Sequence, residues 1–320
     1  MKQNKITIIG GGNVGSAIGL ILSLNKIVSE IVILDVNPTK AQGEATDISQ
    51  GVNSLHPIQI TATSDYKDTK DSDIVIITAS IPSKNLNNRL DLIKSNLTLF
   101  QKIITPITLY SPESFLLVVS NPCDILTYIA YKLSGFPSHR VLGSGTTLDT
   151  VRLRFLLSQE MNIDARDIDG NIIGEHGDSQ IATWSCLNVH GVAFEENFEK
   201  LLPKKTLEKH NINDFKEMIA NKVQKSAYEI ISQKGYTNYG IAISVLHIVE
   251  AIIKDEKKVL NTSSYLQGEY GIKDIYLGVP SVIGKSGVEK ILEISLNNKE
   301  KEQLLSSAKL LKGIIDESAL

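Results

Sequence analysis

Ile6-Thr7-Ile8-Ile9-Gly10-Gly11-Gly12-Asn13-Val14-Gly15-Ser16-Ala17-Ile18 is the stretch that decides the fold. Four β-branched residues run straight into three glycines, and residues 14–25 then carry helical apolar spacing. Gly10, Gly12 and Gly15 form G-x-G-x-x-G between that strand and that helix. The first glycine permits the tight turn, the second lets backbone approach a pyrophosphate, and the third lets helix pack on strand. The helix start, with Asn13 and Val14 in its first turn, turns its positive end to the phosphates. Asp35 ends the next strand, 20 residues beyond Gly15, where an acid binds the adenosine ribose hydroxyls. Its charge repels the extra phosphate of NADP, so the expected cofactor is NAD. A glycine-rich turn without a dinucleotide is the alternative. It lacks a reason for the acid at that spacing.

Working outward, Ile31–Leu34, Ile74–Ile77 and Leu116–Val119 repeat the pattern of the first strand. Such nearly continuous apolar runs mark parallel strands buried on both faces. Helical spacing at 38–52 and 91–109 separates them, and Val141-Leu142 reads as one more short strand. The alternation predicts an α/β fold, a doubly wound parallel sheet of Rossmann type, over residues 1–143. The remainder, 144–320, reads as an α+β substrate domain. An amphipathic helix is expected from about Thr150 to Glu160, with strand pieces at Ile172-Ile173 and Leu187–Val189. Helices follow at 213–232 and 241–254, late strands at Val259-Leu260, Ile275–Leu277 and Val279–Ile283, and a terminal helix from Glu300 to Ile315. No repeat and no Pro/Gly/Ser-rich linker divides the halves, so a broad interface between them is expected.

The chain has 320 residues, long enough for about two domains. A net charge of −3 gives no global attraction to nucleic acid or anionic membrane. Cys123 and Cys186 are 63 positions apart with no CxxC spacing, which argues against a disulfide framework or structural zinc. No metal site is expected, and a reducing cytoplasm fits best. The glycines and Asn13 interrupt the apolar run near the N-terminus, so a signal peptide or membrane anchor is not expected.

A second set of residues carries chemistry. His176 sits in Ile173-Gly174-Glu175-His176-Gly177-Asp178-Ser179, and Leu148-Asp149-Thr150-Val151-Arg152 lies 27 residues upstream. Histidine takes up and releases a proton near neutral pH, as reversible carbonyl reduction requires. A carboxylate fixes its tautomer, and an arginine fork matches a substrate carboxylate. His56, His139, His190, His210 and His247 lack such neighbours and read as structural. Combined with the glycine loop, the set describes hydride transfer between a nicotinamide and a 2-oxo acid.

The chain resembles the L-lactate/malate dehydrogenases nearly end to end, closest to the lactate branch. The likeness rests on Gly10–Gly15 with Asp35, Ser120-Asn121-Pro122-Cys123-Asp124, Gly143–Arg152, Gly174–Ser179 with Trp184-Ser185, and Gly235-Tyr236-Thr237. It implies His176 as proton donor to the 2-oxo group, Asp149 as holder of its imidazole, and Arg152 as clamp on the substrate carboxylate. Arg89 would ride on a mobile loop and polarise the carbonyl on closure. Asn121 would lie near the carbonyl and the nicotinamide ribose, Thr237 would line the substrate pocket, and Ile241 would pack on the nicotinamide. Thr78 and Ala79 would join the cofactor contacts. The resemblance also implies a homodimer or homotetramer.

Two positions depart from the family pattern. Where lactate dehydrogenases carry glutamine and malate dehydrogenases arginine, this chain has Ser83, followed by Lys84. Without arginine, oxaloacetate lacks a partner for its second carboxylate; without glutamine, space opens over a pyruvate methyl. Many bacterial relatives bind fructose 1,6-bisphosphate through an arginine and a histidine. Arg154 matches the arginine, but Asp169 stands at the histidine position and repels phosphate. The leading reading is an NAD-dependent enzyme interconverting L-lactate and pyruvate. The alternatives are an L-2-hydroxyisocaproate-type enzyme, a malate dehydrogenase, and a catalytically silent NAD-binding protein. The joint presence of His176, Asp149, Arg152 and Arg89 argues against the last, because a binding module needs none of them.

Overall fold

The N-terminal half lays its strands side by side because the inner ones are apolar on both faces and buried between helices. In a computed structural model, which describes residues 4–81 and 89–317 (side chains of 89–94 excepted), nine strands form one sheet. The first half contributes β1 (Lys5–Ile9), β2 (Glu30–Leu34), β3 (Gln59–Thr63), β4 (Ile74–Ile77), β5 (Phe115–Val118) and β6 (Val141–Gly143). They lie parallel in the order β3-β2-β1-β4-β5-β6, with the reversal between β1 and β4. This is the doubly wound, Rossmann-type order, and the crevice at the reversal is where such sheets take ligands. Helices α1 (Asn13–Leu24), α2 (Pro38–Val52), α3 (Arg89–Tyr110) and α4 (Cys123–Ser134) connect the strands.

Two of these elements escape the sequence pattern. β3 is an edge strand of Gln, Ile, Thr, Ala and Thr, only half-buried, so it lacks the apolar run of the inner strands. Helix α4 buries every residue from Cys123 to Ala130, leaving no amphipathic stripe to read. It is wedged among α3, β6 and β13 (Lys273–Gly284).

The second half opens with α5 (Thr147–Met161), which starts a turn before the expected Thr150. Its N-cap, Thr146, has no side-chain cap bond because its hydroxyl donates to the Ile172 carbonyl (2.6 Å); that of Thr147 donates to the Asn261 carbonyl (3.1 Å). The start is therefore fixed by tertiary partners. The earlier start also brings Asp149 inside the helix.

Small strands follow: β7 (Ile168–Asp169), β8 (Ile172–Ile173), β9 (Ile181–Ala182), β10 (Asn188–Val189) and β11 (Val192–Ala193). Then come α6 (Phe198–Leu201), α7 (Lys204–Leu207), α8 (Ile212–Lys234) and α9 (Tyr239–Ile253). The late strand pieces are segments of long strands: β12 (Lys258–Gln267) and β13, joined by β14 (Gly287–Ile291) before α10 (Asn298–Glu317). Asn261-Thr262-Ser263-Ser264 lies beyond the expected strand piece Val259-Leu260, yet all four are buried within β12, their side chains hydrogen-bonded. β12 meets β6 antiparallel at Ser263 and Gly143, so one sheet runs through both halves. Among the described residues, no helix is long and apolar enough to cross a membrane.

Candidate active site

The glycine loop leaves β1 at Gly10, whose φ of +106° is a conformation that side chains resist. A β-carbon on Gly15 would run into the Gly10 carbonyl, so the start of α1 can sit this close only with glycine there. Gly12 is different: nothing lies within 4 Å of where its β-carbon would be. It is the N-cap of α1 and makes no side-chain cap bond. An open glycine face at an uncapped helix start suits a pyrophosphate. Asp35 accepts from the Gly11 N–H (2.7 Å) and the Asn37 N–H (2.9 Å), which fixes its carboxylate at the end of β2. The site therefore fits a dinucleotide with free ribose hydroxyls.

A chain of contacts leads from this loop toward the second set of residues. The Thr78 hydroxyl donates to the Gly10 carbonyl (2.9 Å), and the Ser120 hydroxyl donates to the Ala79 carbonyl (2.6 Å). Asn121 follows with its side chain exposed, and α4 begins two residues later. Asp124, in the first turn of α4, accepts from the His176 backbone N–H (2.8 Å). His176 sits between β8 and β9, and the Gly174–Gly278 bridge pins that segment to β13.

The His176 Nδ1 lies 2.5 Å from the Asp149 Oδ2. An ionised carboxylate only accepts, so the proton of this bond belongs to Nδ1, leaving Nε2 for a ligand. Arg152, one turn along α5, donates from Nη1 to the other Asp149 oxygen at 2.8 Å. Asp149 is 3% exposed and the His176 side chain 23%. Burial pushes the Asp149 carboxyl up, but the imidazolium and the guanidinium outweigh it and hold it below the usual carboxylate range. Burial pushes the His176 imidazole down, and the charges of Asp149 and then Asp124 reverse this, leaving it raised. A buried acid thus stabilises a partly exposed imidazolium, with a guanidinium alongside.

Arg152, Thr237 and Ile241 meet in the wall of one cavity of about 420 Å³, whose other walls are largely apolar, among them Leu148, Val151 and Phe155. Ser83 and Lys84 lie outside the described residues, as does the Arg89 side chain, whose backbone opens α3. Arg154, which matches the family's sugar-phosphate arginine, donates to the Gly170 carbonyl (3.0 Å) and reaches Asp169 at 3.4 Å. Sequence reasoning missed Asp124 and Ser263. Asp124 stood in a recognised motif without a role, and Ser263 lay beyond the expected strand piece Val259-Leu260.

A reversal-point glycine loop joined through hydrogen bonds to a carboxylate–histidine–arginine set has the layout of a dinucleotide-dependent dehydrogenase. The lactate/malate dehydrogenase NAD binding domain matches residues 4–143, and the alpha/beta C-terminal domain of the same family matches 146–319. The L-lactate dehydrogenase of Clostridium perfringens is 50% identical over 319 residues, spanning 100% of this chain and 98% of that one. L-lactate dehydrogenase 1 of Clostridium acetobutylicum is 49% identical, covering 99% of each. The ligand-bound crystal structure of the minor L-lactate dehydrogenase from Enterococcus mundtii superposes with a TM-score of 0.92 at 38% identity, covering 99% of both chains. The chain belongs to the lactate/malate dehydrogenase family, and its dinucleotide is NAD.

Proposed function

We propose that the protein is an NAD-dependent L-2-hydroxy-acid dehydrogenase that interconverts pyruvate and L-lactate in the cytoplasm. The observation that carries this reading is the Asp149–His176 pair at 2.5 Å with Arg152 on the second Asp149 oxygen. When bound, NADH supplies the hydride for the carbonyl carbon, and NAD⁺ accepts it in the reverse direction. Arg152 holds the substrate carboxylate, which orients the adjacent carbonyl toward His176. The imidazolium gives its Nε2 proton to the carbonyl oxygen, and Asp149 stabilises that charged form and its tautomer. In the oxidation of lactate the neutral imidazole takes the hydroxyl proton. Arg89 polarises the carbonyl, Asn121 and Thr237 line the substrate, and Ile241 packs at the nicotinamide end.

Relatives bearing the name L-lactate dehydrogenase support pyruvate as the substrate. The apolar walls beside Arg152 favour a second reading, a larger neutral 2-oxo acid such as 2-oxoisocaproate. Oxaloacetate is disfavoured because Ser83 supplies no cation. NADH oxidation with pyruvate, oxaloacetate, 2-oxoisocaproate and phenylpyruvate tests the reading; absence of turnover with all four would refute it. A homodimer or a dimer of dimers is part of the proposal. Exposed Leu20 and Leu24 on α1 and Ile243 on α9 offer apolar surface for a second copy to cover. Sedimentation at working concentration checks this, with a monomer as the contrary result.

A further inference from the structure

His176 is flanked by two buried carboxylates, and the scheme above uses only Asp149. Asp124 is 2% exposed, and its oxygens serve different elements: Oδ2 accepts from the His176 N–H (2.8 Å), Oδ1 from the Ser263 hydroxyl (2.5 Å). The first belongs to the β8–β9 segment, the second to β12, and Asp124 itself to α4. There is no slack among these parts. A β-carbon on Gly143, in β6, would lie 2.5 Å from the Thr127 hydroxyl and 2.8 Å from both the Cys123 sulfur and the Ser263 β-carbon. The start of α4 is thus pressed onto β6 and β12, where Asp124 reaches both His176 and Ser263. Asn121 lies three residues earlier on the same segment.

We propose that Asp124 is a positioning residue: it locks the Asn121 turn and His176 into one unit, and its negative charge biases His176 toward the protonated form. This rests on the reading of His176 as proton donor. A buried ion costs several kcal/mol unless its surroundings compensate it. Burial pushes the Asp124 carboxyl up to about 6, even though Ser263 and the His176 N–H pull it down. The other groups facing the pair are Asp149 and Arg152 on α5 and Glu175 beside His176. Cys123 adds no charge, because burial pushes its thiol up to about 12. Asp124 therefore gives up its charge more readily than an ordinary aspartate as pH falls, and with it the support it lends the imidazolium.

Two variants of the full-length protein test this. Asp124→Asn keeps the size and an acceptor but removes the charge. Ser263→Ala keeps the carboxylate but removes a bond that favours its ionised form. The readouts are the His176 imidazole titration by NMR, identified by its loss in H176N, and the pH profile of kcat/KM for pyruvate reduction. Asp124→Asn is expected to move the titration and the alkaline limb to lower pH together. The activity deficit above the limb should then exceed the deficit below it by roughly threefold or more, as half a pK unit of lost affinity gives. Ser263→Ala should move both in the same direction by less, and it carries the test alone if the first variant does not fold. A His176 titration unmoved in the folded variants overturns the proposal and reduces Asp124 to a structural clamp. A titration that moves while the rate limb stays overturns instead the reading of His176 as proton donor.

Discussion

Replacing Asp149 by asparagine removes one charge and almost no volume. The carboxylate is buried and holds both His176 (2.5 Å) and Arg152 (2.8 Å). Opposite charges about 4 Å apart are worth about 4 kcal/mol at an effective dielectric near 20. Asparagine restores one neutral hydrogen bond of about 1 kcal/mol. The net loss of about 3 kcal/mol corresponds to at least a hundredfold in rate. If the amide turns its NH₂ toward Nδ1, the wrong tautomer is favoured, and the loss approaches the ~10⁴-fold seen when a catalytic triad is altered this way. The assay is kcat/KM for pyruvate reduction, alongside NADH affinity by fluorescence, which should hold because the glycine loop is untouched. The pH dependence has a definite sign. Reduction needs the imidazolium, and Asp149 raises its proton affinity, so the variant's alkaline limb should move to lower pH. Stability follows the same linkage. The raised His176 contributes fully below its usual value near about 6.5 and loses that contribution as pH rises through its folded value. The lowered Asp149 contributes above about 3.9 and loses its share as pH falls through its folded value. A variant with near-native kcat/KM and an unmoved limb would refute the pairing as the source of catalysis.

Three further outcomes are expected. Wild-type protein should prefer NADH over NADPH; Asp35→Asn, which removes the fixed charge at the ribose end, should raise kcat/KM with NADPH by roughly ten- to a hundredfold. Equal use of both cofactors by the wild type would contradict this. Fructose 1,6-bisphosphate should leave the KM for pyruvate unchanged, since Arg154 is engaged by Gly170 and Asp169; a large drop in KM on adding it is the contrary result. Ser83→Gln should favour pyruvate over bulkier 2-oxo acids modestly, a matter of a few methylenes. Ser83→Arg should raise oxaloacetate turnover more, because it pairs a buried charge. An unchanged substrate ranking in both variants would mean that Ser83 does not face the substrate.

The legible part of the fold was the part whose burial is two-sided. β1, β2, β4 and β5 announce themselves by runs of Ile, Val and Leu, and the glycine loop by residues that only a close approach requires. What escaped was polar residues in buried places and apolar residues without a period. Thr262 and Ser264 pair with each other within β12, but the Ser263 hydroxyl donates to Asp124 on α4 and that of Ser264 meets Ser281 on β13, partners distant in the chain. No local pattern can announce them. The same reason hides the second carboxylate. Asp149 could be named a candidate because the chemistry demands an orienting acid, and the family resemblance implied its pairing with His176. Asp124 meets His176 through the backbone N–H, and a backbone contact leaves no residue-type signature.

The distribution of these contacts explains how the chemistry is kept in register with the cofactor site. His176 is held at three points that belong to three elements: Asp149 on α5, Asp124 on α4, and the Gly174–Gly278 bridge to β13. A fourth tie comes from α10, whose Ser307 hydroxyl accepts from the Glu175 N–H at 3.0 Å. The glycine loop is anchored to the same sheet through Thr78, and β12 joins that sheet to the second half at Ser263. Displacing His176 relative to Gly10 therefore requires breaking sheet pairing or several buried hydrogen bonds together, each costing about 1–3 kcal/mol when left unmade. Near-attack geometry tolerates errors of well under an ångström. A continuous sheet with a histidine pinned from four sides supplies that tolerance before any ligand binds. On the proposed reading, the binding energy of the substrate carboxylate on Arg152 would then be left for orienting the carbonyl.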